Sequence, residues 1–122
     1  MNIIISNTSD KPIYQQIYEQ ISSQIINGEI KTDAALPSIR TAAKELRVSI
    51  ITVKKAWEEL ERYHFIYTRT GKGCFVSNLS QGDKESMKQT LAEEQMKKDI
   101  LYYQELGLTV DEVTDLVKDC WE

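Results

Sequence analysis

The stretch LPSIRTAAKELRVSIITVKKAWEELER, residues 36–62, decides how this chain is read. It describes two short helices separated by an abrupt break. Ser38 is placed to cap the first, whose apolar face comprises Ile39, Ala42, Ala43 and Leu46. Arg47 and Val48 form the break, and Ser49 is placed to cap the second helix. There Val53, Trp57 and Leu60 recur at i, i+4, i+7 and define an inward side. The other side opens with Ser49, Thr52 and Lys55. Small hydroxyl-bearing side chains and lysines at an exposed helix start suit entry into a DNA major groove. An ordinary helical hairpin is the plainer alternative for this segment alone.

Working outward, residues 65–69 (FIYTR) and 74–77 (CFVS) read as two strands joined by Thr70, Gly71, Lys72 and Gly73. The glycines supply the positive φ of a tight hairpin, let the backbone approach a sugar-phosphate chain, and flank a lysine at the tip. Helices followed by such a hairpin form a winged helix-turn-helix. Upstream, Ile13, Ile17, Ile21 and Ile25 repeat every four residues, and Tyr14 and Tyr18 widen the stripe into an amphipathic helix. Pro12 fits that helix's first turn, and Asn27 and Gly28 mark its end. The isoleucine run at 2–5 is expected to be a short strand that pairs with something else.

From Gln81 onward the pattern is helical, after a linker expected at 78–83. Met87, Leu91, Met96, Ile100, Tyr103 and Leu106 mark a mostly apolar side, with a slip in spacing between Leu91 and Met96. Gly107 ends this helix. Thr109 and Glu112 then form a T-x-x-E capping box for a last helix with Val113, Leu116, Val117, Cys120 and Trp121 on its stripe. Two helices cannot bury both faces alone, so a second subunit is expected to cover them in an isologous interface. Folding of the tail back onto its own head is the alternative. The expected fold is therefore α+β and mainly helical. It comprises a winged helix-turn-helix domain over 1–78 and a two-helix dimerisation tail over 79–122.

The 122 residues allow one compact domain and a small appendage, and no apolar run approaches the roughly 20 residues that cross a bilayer. The N-terminal residues carry no secretory pattern, so a cytoplasmic location is expected. The net charge of −4 hides an asymmetry: residues 1–77 hold ten basic and eight acidic side chains, and 78–122 hold five and eleven. Because screening confines charge effects to about 10 Å at moderate salt, the local basic excess matters more than the total. Cys74 and Cys120 lack CxxC spacing and, with the lone His64, are too few for a structural zinc site. Neither a metal nor a cofactor is expected. No nucleophile–base–acid set can be placed, and TGKG lacks the frame of a phosphate loop, which argues against an enzyme.

The succession PIYQQI, IINGEI, LPSIRTAAKEL, VSIITVKKAWEELER and FIYTRTGKGCFV, spanning 12–76, resembles the GntR family of bacterial transcription regulators. The resemblance implies a homodimer that binds a palindromic operator. The short two-helix tail is similar to that of the YtrA subfamily, which implies repression, often of operons for ABC transporters. Carried over residue by residue, Arg40 stands at the S-x-R arginine, Thr52 and Lys54 at T-V-[RK], and Gly71 and Gly73 at the wing glycines. With Ser38, Ser49, Ile50, Ile51, Lys55, Arg69, Thr70 and Lys72, these residues are the expected DNA-contacting set. The chain departs from the family pattern at Ile50, where arginine is usual, and at Arg47, where glycine usually makes the turn. Tyr63 and His64 replace an acidic–glycine pair. Ile50 is expected to pack on a thymine methyl instead. Arg47 is expected to avoid a positive φ through a remodelled turn and to add a phosphate contact. The competing function is a winged-helix protein-interaction module that has lost specific DNA binding. Tyr102, Tyr103 and Trp121 are aromatic enough to line a ligand pocket, but a dimer core is the simpler expectation, and any effector is left open.

Overall fold

The computed structural model describes residues 2–122. In chain order it contains α1 (Ile13–Ile26), α2 (Ile39–Leu46), α3 (Ile50–Arg62), β1 (Ile66–Arg69), β2 (Gly73–Val76), α4 (Gln81–Glu105) and α5 (Val110–Cys120). One compact unit runs through Lys84, and the second is Glu85–Glu122.

The first unit is built around α3. Its Val53, Ala56, Trp57 and Leu60 are buried, and α1, α2 and β1 all pack against it. From α1 come Ile17, Ile21 and Ile25, each nearly inaccessible to solvent; α2 contributes Ala42 and Ala43. Phe65, Ile66 and Val76 close the core from the hairpin side. The small residues of α2 let its backbone approach α3 closely, while the branched residues of α1 fill the larger gap. Burial of each large side chain contributes about 1.5–3 kcal/mol.

The hairpin is antiparallel, with Ile66 opposite Val76 and Arg69 opposite Gly73. Beyond its strand ends, the Ser77 amide bonds the Phe65 carbonyl at 2.9 Å. The free edge of β2 is covered by residues 33–36. The Asp33 amide bonds the Val76 carbonyl, the Val76 amide bonds that of Ala34, and the Leu36 amide bonds that of Cys74. This loop behaves as a rudimentary third strand, bridging at Ala35 and Phe75. Nothing in its residue pattern announced that role.

The strand expected at 2–5 is absent. The segment is held instead by the side chains of Gln16, Gln20 and Gln24, spaced four apart on α1 and so stacked along one helix face. Gln20 both accepts from the Ile4 amide at 2.9 Å and donates to its carbonyl at 2.7 Å, as a neighbouring strand would. Gln16 does the same for Ser6 and also donates to the Lys11 carbonyl. Pro12 lies just outside α1, where its carbonyl accepts from the Gln15 and Gln16 amides.

Four helices end in the same way. After α1, α2, α3 and α4, an amide bonds the carbonyl five residues back, and the amide before it bonds the carbonyl three back. This is the Schellman arrangement, which requires a left-handed residue. Glycine supplies it at Gly28 and Gly107, but Arg47 (φ 57) and His64 (φ 64) supply it after α2 and α3. The remodelled turn expected at Arg47 is thus corrected. The bonds of Val48 to Ala43 and of Phe65 to Leu60 hold both side-chain-bearing residues in the left-handed region.

The linker expected at 78–83 is partly helical, because α4 begins at Gln81. Ser80 and Asp83 exchange amide-to-side-chain bonds that open α4. Neither α4 nor α5 buries a residue. The half-buried line of α4 runs Met87, Leu91, Gln95, Asp99, Tyr103, so Met96 and Ile100 lie beside it and are exposed. That is the origin of the slip in spacing: Gln95 and Asp99 occupy the line and bond each other at 3.0 Å. The Thr109–Glu112 capping box forms as expected.

A left-handed conformation costs a non-glycine residue roughly 1–2 kcal/mol, offset in part by the larger chain entropy glycine loses on folding. Arg47→Gly and His64→Gly are therefore each expected to raise the unfolding free energy by about 0.5–1 kcal/mol. Denaturant titration checks this; a fall in stability for either variant would show its side chain holding the fold.

Candidate nucleic-acid interface

The two serines read as caps do cap, and each does so with a threonine three residues on. Ser38 Oγ accepts from the Thr41 amide at 3.1 Å and donates to Thr41 Oγ1 at 2.9 Å. Ser49 Oγ accepts from the Thr52 amide at 3.1 Å, and its hydroxyl lies 2.8 Å from that of Thr52. The S-x-x-T spacing was visible twice in the sequence, though only the serines drew notice. Both hydroxyl pairs sit at helix N-termini, where backbone amides and the helix dipole favour an anion.

The outward face of α3 follows from its buried one. With Val53, Ala56, Trp57 and Leu60 inside, the opposite line runs Ile51, Lys54, Lys55, Glu58, all exposed. Ile51 is 78% exposed and Ile50 44%. Among the described residues, Lys54 and, on the first turn of α2, Arg40 have neither an ion-pair nor a hydrogen-bond partner. Lys55 is differently placed: its Nζ lies 4.1 Å from the centre of the Tyr14 ring on α1. The expected contact set thus has Lys55 held against the protein's own aromatic ring rather than free at the helix start.

At the wing, the Lys72 amide bonds the Arg69 carbonyl at 2.9 Å. Thr70 and Gly71 are the central residues of this turn, and positive φ at the second of them is the type II pattern. Gly71 (φ 77) and Gly73 (φ 108) need glycine for their backbone angles alone, because an added Cβ would meet open space at both. Lys72 is exposed at the tip. Arg69 lies over the rings of Tyr67 and Phe75, which are themselves stacked.

One residue that sequence reasoning missed fixes the wing. Asp33 Oδ1 accepts a 2.8 Å hydrogen bond from the Tyr67 hydroxyl, joining β1 to the loop before α2. Asp33 itself stands at φ 62, and its amide holds β2. The wing is therefore tied on both strands to the polypeptide that leads into Arg40. The bond to Asp33 raises the pKa of Tyr67 above its ordinary value, with desolvation adding to it. On the base of α3, Thr68 donates to the Glu61 carboxylate.

Exposed basic groups at the start of α2, on the outward line of α3 and at the hairpin tip are suited to phosphate oxygens and base edges. The comparisons with known proteins agree. Residues 13–76 match the model of the bacterial regulatory proteins of the gntR family. The chain belongs to the GntR family. Over 96% of its length it is 32% identical to the HTH-type transcriptional repressor YtrA of Bacillus subtilis (strain 168), covering 90% of that protein. It is 33% identical over 90% of its length to the uncharacterized HTH-type transcriptional regulator YhcF of the same organism, again covering 90%. A transcriptional antiterminator from Listeria monocytogenes EGD-e has the same fold over 98% of this chain and 89% of its own, with a TM-score of 0.76 and 32% identity. AraR(DBD) in complex with operator ORX1 matches 63% of this chain and 96% of its own, at a TM-score of 0.55 and 29% identity. The expected fold, mainly helical with a winged helix-turn-helix, stands, as does the assignment to transcription regulators rather than enzymes. No helix among the described residues is long and apolar enough to cross a membrane.

A phenol whose pKa is raised by folding stabilises the folded state below its ordinary pKa of about 10 and loses that contribution as pH rises through the raised value. Asp33→Gly keeps the left-handed backbone without the carboxylate and should return Tyr67 toward 10. The phenolate absorbance difference between each protein and its Tyr67→Phe counterpart measures it. An unchanged midpoint would mean that the Asp33 bond does not hold the hydroxyl.

Proposed function

We propose that this regulator is a cytoplasmic homodimeric repressor that binds a palindromic operator. In this reading residues 1–78 are the DNA-binding head and 79–122 the dimerisation tail. The observation that carries it is that Arg40, Lys54 and Lys72 all face solvent and, among the described residues, have no internal partner for their charges, while the other face of α3 is buried. Ser38, Ser49, Thr52 and Thr70 supply hydroxyls beside these cations, and the glycine-rich tip lets Lys72 follow a phosphate chain. The repressor named YtrA, similar over most of its length, supports repression. An ABC transporter operon is the regulated target that the resemblance to that subfamily favours.

Dimerisation is supported by the exposed apolar groups of the second unit. Met96, Ile100, Leu106, Leu116, Val117 and Trp121 are all exposed, beside half-buried Met87, Leu91, Tyr103 and Val113. Leu101, Tyr102 and Val110, which the sequence stripe omitted, are exposed too, and Cys120 extends the α5 face. A surface this apolar is uncommon on a monomer. Two heads joined in this way would meet half-sites one helical turn, roughly 34 Å, apart.

A second reading has one observation in its favour: exposed Ile50 and Ile51 could equally meet a protein partner. Titration of the full chain with its upstream DNA separates the two. Affinity that falls steeply with salt supports the regulator, and negligible affinity of a folded dimer at low salt supports the interaction module.

Arg40→Ala is expected to weaken operator binding by roughly tenfold or more and to relax base preference at one position per half-site. Lys72→Ala should weaken all duplexes alike and make the salt dependence shallower. Fluorescence anisotropy on operator and scrambled duplexes measures both, and parent-like binding by both variants would refute the assignment. Separately, a chain ended after Lys84 should sediment as a monomer; persisting dimers would move the interface into the head.

A further inference from the structure

The first turn of α3 exposes two side chains that are neither basic nor polar. Ile51 stands on the line that continues to Lys54 and Lys55, and Ile50 precedes it on the first turn. Both lie within the stretch that the family match covers and next to the unpaired Lys54. An isoleucine held in water at the tip of a helix gives nothing to the fold, since the core is complete without it. It has no donor or acceptor either, so it cannot read a purine edge through hydrogen bonds. In the major groove only one kind of group rewards it, the C5-methyl of thymine. Guanine N7 and O6, or the cytosine amino group, would lose water against Ile51 without gaining a partner.

We propose that Ile50 and Ile51 form an apolar reader of adjacent thymine methyls, so that each operator half-site presents thymines to the start of α3. This rests on the regulator reading above and adds the chemistry of the bases that it selects. The surrounding groups determine what else the pair could meet. Lys54, one turn on, suits a phosphate, and a purely apolar protein surface would leave its ammonium group without a partner, whereas Ser49 and Thr52 already bond each other. The isoleucines thus act as a specificity filter inside a site whose affinity comes from its cations.

The test needs no change to the protein at first. Duplexes that the full-length chain selects from a random pool would be remade with deoxyuridine in place of thymine, one position at a time. Uracil keeps every hydrogen bond of thymine and lacks only the methyl. Binding is expected to weaken about fourfold for each methyl that touches an isoleucine, the transfer cost of one buried carbon group. Ile51→Ala and Ile50→Ala should each erase the thymine–uracil difference at one position. Equal affinity for thymine and uracil duplexes at every position, with tight binding retained, would overturn this proposal alone. No binding to any duplex at low salt would overturn the regulator reading and this proposal with it.

Discussion

Helix α3 presents a chemically distinct outer face only because its inner face is buried so completely. Val53, Ala56, Trp57 and Leu60 are enclosed by α1, α2 and β1, and rotating the helix by one residue would bring a lysine into that core. An unpaired buried ammonium is far too costly for such a rotation to compete. The angular position of Ile51 and Lys54 is thus decided by residues that never approach a partner. The same burial brings Arg40 and the wing to the edges of α3, because the helix and strand that carry them pack on it.

The unit economises on glycine and on strands. Arg47 and His64 occupy left-handed positions that glycine would fill without strain, and each lies between two hydrogen bonds that hold it there. At Arg47 the exchange leaves a cation between α2 and α3, where an added charge suits a phosphate-bearing partner. Elsewhere, glutamine side chains do the work of a strand. The ladder of Gln16, Gln20 and Gln24 satisfies the backbone of the N-terminal segment without a sheet, so the isoleucines there need no neighbouring strand. The wing, with only two strands of its own, gains rigidity from residues 33–36 and from the Tyr67–Asp33 bond.

The second unit follows a different logic. Its helices have sound local chemistry: a capping box at Thr109 and a glycine-ended Schellman turn at Gly107. Yet they bury nothing. Helices owe most of their stability in proteins to packing of an apolar face rather than to propensity. Exposed Leu116, Val117 and Trp121 therefore contribute little to the stability of this unit by itself, in contrast to the enclosed apolar groups of the first unit.

The residue pattern alone determined the helices of the head, the hairpin, the two serine caps and the division of α3 into faces. All of these depend on periodicity, capping chemistry or turn residues, which act over a few positions along the chain. Tertiary structure decided what depends on partners distant in sequence. Residues 2–5 have the composition of a strand, but glutamines on α1 reach them first. Lys55 has the spacing of an outward lysine, but Tyr14 lies within reach of its ammonium group. Asp33 resembles any loop aspartate until β1 brings Tyr67 beside it. Arg47 turns left-handed because the amide of Val48 must find the Ala43 carbonyl, a demand of the fold's path that no side chain at that position advertises.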